Sequence, residues 1–502
     1  MKQLLCATLD GIDAKKVEVE TTFTKGLPAF GIVGLASSSI QEAKERVKAA
    51  LLSNEFSFPP LRITVNLSPS DLAKSGSHMD LAIALSIALQ NENINLEDFY
   101  VFGELGLDGR LKDTRSIFPM LLSLRNQKLI TKAIVPTESL EKLSMIPGIT
   151  YIGAKNLSEA IAICKNEQTP QKIKETPIDA KTIEVDGINY FFIRDYVDDF
   201  LDVKGQEIAK RASLIAASGM HNMLMEGSPG CGKSMIAKRL QHILPPMSLE
   251  EILQANQYAL LGNEEPIFIP KRPQRAPHHS ASKPSVFGGG SNQAKIGEVA
   301  LANGGILFFD EFPHFSKSVL EALREPLQDH RVLISRVNSK IAYDTKFMFV
   351  AAQNPCPCGN LLSSIHTCRC SDLEVKRYKQ RLSDPLLDRI EIYVQMQESS
   401  YEDKPSINSA SMHDQVIKAF IMQIKRGQKH LNGKLNEKEI ENYCKLSYEA
   451  EQILYKAINS FGLSHRSVAN VKKVARTIAD LKESKEIEKS HILEALSFRR
   501  RS

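Results

Sequence analysis

Residues 223 to 240 read MLMEGSPGCGKSMIAKRL: a short apolar run, a glycine-rich octet and an amphipathic helical pattern. No other stretch limits the fold so strongly. The octet Gly227, Ser228, Pro229, Gly230, Cys231, Gly232, Lys233, Ser234 matches G-x-x-x-x-G-K-[ST] in full, and that motif needs a strand to deliver it and a helix N-terminus to complete it. Its glycines let backbone N–H groups turn inward around phosphates, Lys233 meets the β- and γ-phosphates, and Ser234 reaches Mg²⁺. Cys231 is an x position of the motif. An α/β unit with a parallel sheet is therefore expected, with ATP and Mg²⁺ as its ligands.

Some eighty residues on, ILFFDEF puts Asp310 and Glu311 at the end of a second apolar strand, where a parallel sheet delivers side chains beside the phosphates. Asp310 is expected to hold Mg²⁺ through water, and Glu311 to orient and polarise an attacking water. Adjacent acids here point to a hydrolase, since a kinase must keep water from the phosphate. A third buried strand, FMFVAAQNP, ends in Asn354, able to hold the same water from the opposite side. RLSDPLLDRIEIYV offers Arg381 and Arg389. An arginine over the γ-phosphate stabilises transition-state charge and is often supplied by a neighbouring subunit; Arg389 is the stronger candidate. GLSHRSVANVKKVARTIADL is helical, and Arg466 at its start is placed to reach the nucleotide.

Around this core the 502 residues divide by pattern. Residues 1–165 alternate β-like runs with helical ones, an α/β domain. Residues 166–185 are polar and read as a linker, 186–400 carry the ATPase core, and 401–502 are wholly helical, a small lid. The N-terminus lacks the apolar region of a signal peptide and no stretch offers eighteen consecutive apolar residues, so a cytoplasmic protein without membrane contact is expected. The net charge of +5 permits nucleic acid as a partner without demanding it.

Taken in order, the P-loop, the DE strand, the Asn-ended strand, LLDRI and SHRSVANVKKVARTIADL resemble the magnesium chelatase-like AAA+ ATPases, specifically the ComM/YifB family. FLDVKGQEIAKRA, RAPHHSAS, GGGSNQAKIGEVALANGGILFFDEFPHF, LREPLQDHRVLISR and NPCPCG extend the resemblance over nearly the whole chain. It implies a homohexameric ring that hydrolyses ATP at subunit interfaces and moves single-stranded and branched DNA, as a helicase in branch migration during natural transformation, with recombination proteins as further partners. The rival reading is a chelatase-like chaperone or remodelling ATPase acting on a protein. A third is a regulatory remodeller binding protein through its N-terminal domain.

That N-terminal domain resembles in fold the catalytic domain of Lon protease, whose serine lies in a K-x-G-x-S-A-G context. Here the stretch is KSGSHMD, which puts His78 where the nucleophile belongs and Ser77 one residue early. The domain therefore reads as catalytically silent, with Lys74, Ser75 and Ser77 close by keeping proteolysis as a rival reading.

Four of the chain's eight cysteines fall within fifteen residues, 356 to 370. Cys356, Cys358, Cys368 and Cys370 make C-x-C-x₉-C-x-C, the ligand count of a closed tetrahedral Zn²⁺ site, and in a reducing compartment such a cluster reads as metal-binding before it reads as bridged. The zinc loop is placed at 354–370, with His366 able to replace one thiolate. RVLISRVNSKIAYDTKF reads as a hairpin with Arg336 and Lys340 near its tip, cations that would meet DNA phosphates in a pore. His278 and His279 lack metal partners and read as packing or loop contacts.

Overall fold

The strands Met223–Glu226, Ile306–Phe309 and Met348–Gln353 are buried along their whole length, as continuous apolar runs must be in a parallel sheet covered on both faces. The computed structural model describes residues 3–35, 37–92, 94, 96, 98–168, 178–289, 295–335, 340–398, 400 and 402–500. The chain falls into two compact units, Met1–Ile178 with Asn256–Phe268, and Asp179–Ala255 with Ile269–Ser502.

In the second unit five strands pair in the order Gln274–Arg275, Ile306–Phe309, Met348–Gln353, Met223–Glu226 and Ile392–Gln395, all parallel. Met223 faces Val350 on one side and Ile392 on the other. This order sets the carboxyl ends that carry residues 227, 310 and 354 along one edge, where open α/β sheets bind ligands. The sheet shares its core with the helices Glu207–Gly219 and His465–Leu481, through Met223, Val350 and Ile392 against Ile215, Val474 and Ile478. The helix His465–Leu481 is therefore built into the same core as the sheet. Truncating any one of these buried side chains to alanine is expected to cost about 2–5 kcal/mol.

The first unit is built on a mixed sheet of seven strands, in the order Ala29–Val33, Arg62–Ser68, Asp13–Thr24, Gln3–Asp10, Phe99–Val101, Lys132–Pro136 and Thr150–Ala154. The long central pairs are antiparallel and the outer ones parallel. Along Arg62–Ser68 every second residue is buried, the alternation of a sheet with one face on the core. The helix Asp80–Ala88 is buried over nearly its whole length.

Two stretches differ from the sequence reading. Lys181–Val185, inside the expected linker, is a strand paired antiparallel with Ile188–Phe192. Its signal was the Asp186-Gly187 turn, where both residues have positive φ, 52° and 77°, as a two-residue hairpin turn requires. Residues 256–268, inside the expected ATPase core, belong to the first unit. There Phe268 meets Phe118 edge-on at 5.3 Å, Arg115 pairs with Glu265 at 2.7 Å, and Gln257 donates to the Pro119 carbonyl at 3.5 Å. Among the described residues no helix is long and apolar enough to cross a membrane.

Candidate active site

The strand Met223–Glu226 ends at the glycine-rich loop, and the helix Lys233–Leu240 begins at its end. Gly230 and Gly232 have φ of 80° and 92°, conformations that a side chain disfavours, and a Cβ on Gly227 would lie 2.7 Å from Cys231 Sγ. The loop curls around a cavity of ≈ 760 Å³, bordered also by Asp310, Glu311 and Asn354. Lys233 Nζ donates to the Gly227 and Ser228 carbonyls at 2.6 and 2.9 Å and to Asn354 Oδ1 at 3.2 Å. Ser234 Oγ donates to Asp310 Oδ2 at 2.8 Å. A hydroxyl and a carboxylate side by side are a hard-oxygen pair, the donor type Mg²⁺ takes beside phosphate.

Glu311 is held in the left-handed region, φ 50°, a sparsely populated conformation for a residue with a side chain and one that clusters at functional sites. Its backbone N–H donates to Asp310 Oδ1 at 2.9 Å. Its carboxylate lies 3.3 Å from His279 Nδ1. His278 and His279 both border the cavity, with ring centroids 4.1 Å apart. The sequence reading missed this pairing. No local spacing links 279 to 311; the only cue was two histidines just after a short strand bordering the DE strand.

Arg389 and Arg466 do not border this cavity. Both donate to Gln328 Oε1, Arg466 from 3.1 Å. Arg466, expected to reach the nucleotide, sits with Arg389, its helix tied by Asn470, whose side-chain amide donates to the Asp388 carbonyl at 3.0 Å. Burial and the neighbouring Arg466 and Arg324 guanidiniums push Arg389 below the usual arginine range, and its buried Nε has no partner among the described residues. Asn222 fixes the segment by donating to the Arg389 carbonyl at 2.9 Å. Arg381 is exposed and also lies outside the cavity lining.

The four clustered cysteines come together with all four sulfurs within 4.8 Å of one another. Cys356 is buried and the others are accessible. Backbone N–H groups of Arg369 and Asn360 hold the Cys358 thiol down, to about 6. His366 is exposed and outside the cluster. Lys340 is exposed at the start of the strand Lys340–Asp344, which pairs with Arg331–Ser335 as a hairpin. Arg336 lies outside the described residues.

In the first unit His78 is buried, with Nε2 2.9 Å from the Ala7 carbonyl and Nδ1 3.3 Å from Ser116 Oγ. Burial pushes its pKa down to about 4. Ser77 donates to Glu104, and the buried Lys74 to the Pro69 carbonyl.

Comparison with known proteins bears on the whole chain. Residues 199–404 match the family described as magnesium chelatase, subunit ChlI, residues 19–139 that described as subunit ChlI of Mg-chelatase, and residues 406–499 the ChlI C-terminal family. The chain is 37% identical over 499 residues to competence protein ComM of Haemophilus influenzae, covering 97% of this chain and 95% of that one. It is 35% identical to the uncharacterized protein YifB of Salmonella typhimurium and 32% to an uncharacterized protein of Mycobacterium tuberculosis, again over 97% of this chain and at least 95% of each relative.

Proposed function

The chain belongs to the ComM/YifB family of magnesium chelatase-like proteins, and from that premise we propose that it is an ATPase that works as a homohexameric motor on single-stranded and branched DNA. The observation that carries the ATPase half is the convergence of Lys233, Ser234, Asp310 and Asn354, bonded in pairs, around one cavity. Lys233 neutralises phosphate charge, Ser234 and Asp310 hold Mg²⁺, and Glu311 takes the proton of the attacking water. Mg²⁺ supplies charge neutralisation at the transferred phosphate. Asn354 holds that water from the other side, and His279 fixes the Glu311 carboxylate. Arg389 and Arg466 serve a neighbouring subunit's γ-phosphate, a role supported by their shared Gln328 and the unpartnered Arg389 Nε.

The DNA half rests on the likeness to competence protein ComM and on Lys340 at the start of the strand Lys340–Asp344, paired with Arg331–Ser335. The N-terminal unit acts without proteolysis, because His78 occupies the nucleophile's place and is packed away from solvent. A protein-remodelling role is the second reading, favoured by the chelatase-subunit descriptions of all three matched segments.

ATP turnover measured alone, with branched DNA and with protein extract separates the two. Stimulation by DNA is expected, falling as salt rises. Arg336→Ala with Lys340→Ala should leave basal turnover intact, abolish the stimulation and flatten the log–log salt slope of binding by roughly one per lost phosphate contact. Stimulation by protein extract alone would favour the remodelling role.

A further inference from the structure

We propose that Cys356, Cys358, Cys368 and Cys370 hold one zinc ion that braces the nucleotide-binding loop, so that metal occupancy sets the affinity for ATP. The second half rests on the reading of residues 227–234 as an ATP site; the first stands without it.

Geometry selects a single four-thiolate ion of zinc's size. Four thiolates about 2.3 Å from a tetrahedral Zn²⁺ lie about 3.8 Å from one another. The sulfur separations are 3.5 Å for Cys356–Cys358, 3.7 Å for Cys356–Cys368 and 3.6 Å for Cys358–Cys368. A disulfide needs about 2.05 Å, and all four cysteines are free. A cage with every sulfur within 4.8 Å of the others leaves no room for the inorganic sulfides of an iron–sulfur cluster. The close C-x-C spacing is accommodated by a tight turn, closed by the Gly359 N–H donating to the Cys356 carbonyl at 3.0 Å.

That turn is pressed against the P-loop. Gly359 has φ 82°, and a Cβ on it would stand 2.5 Å from Pro229 Cδ and 2.7 Å from Cγ. Two residues before Cys356, Asn354 accepts from Lys233 at 3.2 Å. The segment 354–359 thus touches the loop twice, at Lys233 and at Pro229. Its far side is the thiolate cage. Metal-binding free energy is folding free energy for the segment that supplies the ligands, so the ion stabilises the surface on which Pro229 rests. With the ion removed, the loop occupies its phosphate-binding shape for a smaller fraction of time, and apparent affinity falls by that fraction.

The test uses the full-length chain purified under reducing conditions, with metal read by mass spectrometry and ATP affinity by equilibrium titration. About one zinc per chain is expected, as one closed four-ligand site implies. Stripping the ion with a strong chelator should raise the Kd for ATP about tenfold, the result of a tenfold smaller competent fraction, and zinc added back should restore it. Cys358→Ser should lose the metal and show the same rise. Gly359→Ala should keep the metal and still weaken ATP binding, because its methyl group displaces Pro229. Protein that carries no zinc and takes none up would overturn the site, and iron in its place would overturn the choice of ion. An unchanged Kd after complete, reversible removal of zinc would overturn the brace. If the zinc-loaded chain bound no ATP at all, the ATP reading would fail, while zinc content and faster hydrogen exchange across residues 354–370 on chelation would still report on the metal site.

Discussion

Two places where lysine and serine stand close together, Lys233 with Ser234 and Lys74 with Ser75 and Ser77, diverge in what meets them. At the P-loop, Asp310 and Asn354 arrive from neighbouring parallel strands and bond to Ser234 and Lys233. In the N-terminal unit Lys74 is spent on the Pro69 carbonyl, Ser77 bonds to Glu104, and the next position, 78, belongs to a buried histidine. The lysine and the serine there are not partners. A short motif with the right residue types is a site only when distant chain segments bring it a base, a metal donor or an acceptor.

The sharpest way to break this contrast is to remove the reactive groups on each side. Lys233→Ala should abolish nucleotide binding or turnover. Glu311→Gln should retain ATP and lose turnover by about 10²-fold or more, the scale of losing one group aimed at transition-state charge. Ser77→Ala should change neither ATP turnover nor digestion of an unfolded protein such as casein, which the wild type should leave intact. Peptidase activity that vanished in Ser77→Ala would make the N-terminal unit an active site after all, and normal turnover by Glu311→Gln would remove the glutamate from the reaction.

A smaller effect sharpens the comparison by asking which subunit a site serves. Arg389→Ala and Arg466→Ala should bind ATP nearly normally yet turn it over slowly, because neither arginine borders the cavity of its own chain. Mixing Arg389→Ala subunits with Glu311→Gln subunits in varied ratios should restore part of the turnover, since some interfaces then pair an intact arginine with an intact glutamate. Mixtures that turned over no faster than the two variants separately would place Arg389 inside its own subunit's structure.

How much of this was readable beforehand follows from where each contact lies along the chain. The P-loop, the DE strand and the cysteine spacing are contiguous words, and their partners follow from the order of parallel strands. The Asp186-Gly187 hairpin is equally local, but the polar composition of the preceding stretch outweighs five residues of weak alternation. Residues 256–268 were not readable: their attachment to the first unit is made by Phe268 on Phe118 and Glu265 on Arg115, contacts between residues some 150 apart. The same holds for His279 on Glu311 and Gly359 on Pro229. Arg466 lies in a contiguous motif, but its neighbours Arg389 and Gln328 follow from how its helix is docked.

The smallest effect expected concerns the histidine that separates the two lysine–serine settings. His78 is neutral in the folded unit because burial pushes its pKa down to about 4, against about 6.5 for the unfolded chain. The unfolded state therefore binds more protons at mildly acidic pH, and stability contributed by the neutral ring is fully present above about 6.5 and lost as pH falls toward about 4. Between pH 8 and pH 5 this one group should cost the N-terminal unit about 2 kcal/mol. His221, His330 and His413 of the second unit are shifted in the same direction, while burial pushes the Asp80 carboxyl up to about 6, the opposite sense, so only a substitution isolates the contribution. His78→Gln keeps a polar group near the Ala7 carbonyl without a proton to gain in this range. Hydrogen exchange on the central strands Gln3–Asp10 and Asp13–Thr24 should show His78→Gln less stable than the wild type at pH 8, with the gap narrowing at pH 5. A gap that stayed constant with pH would mean that His78 is already solvated or charged in the fold, and its surroundings would have to be redrawn as open to water.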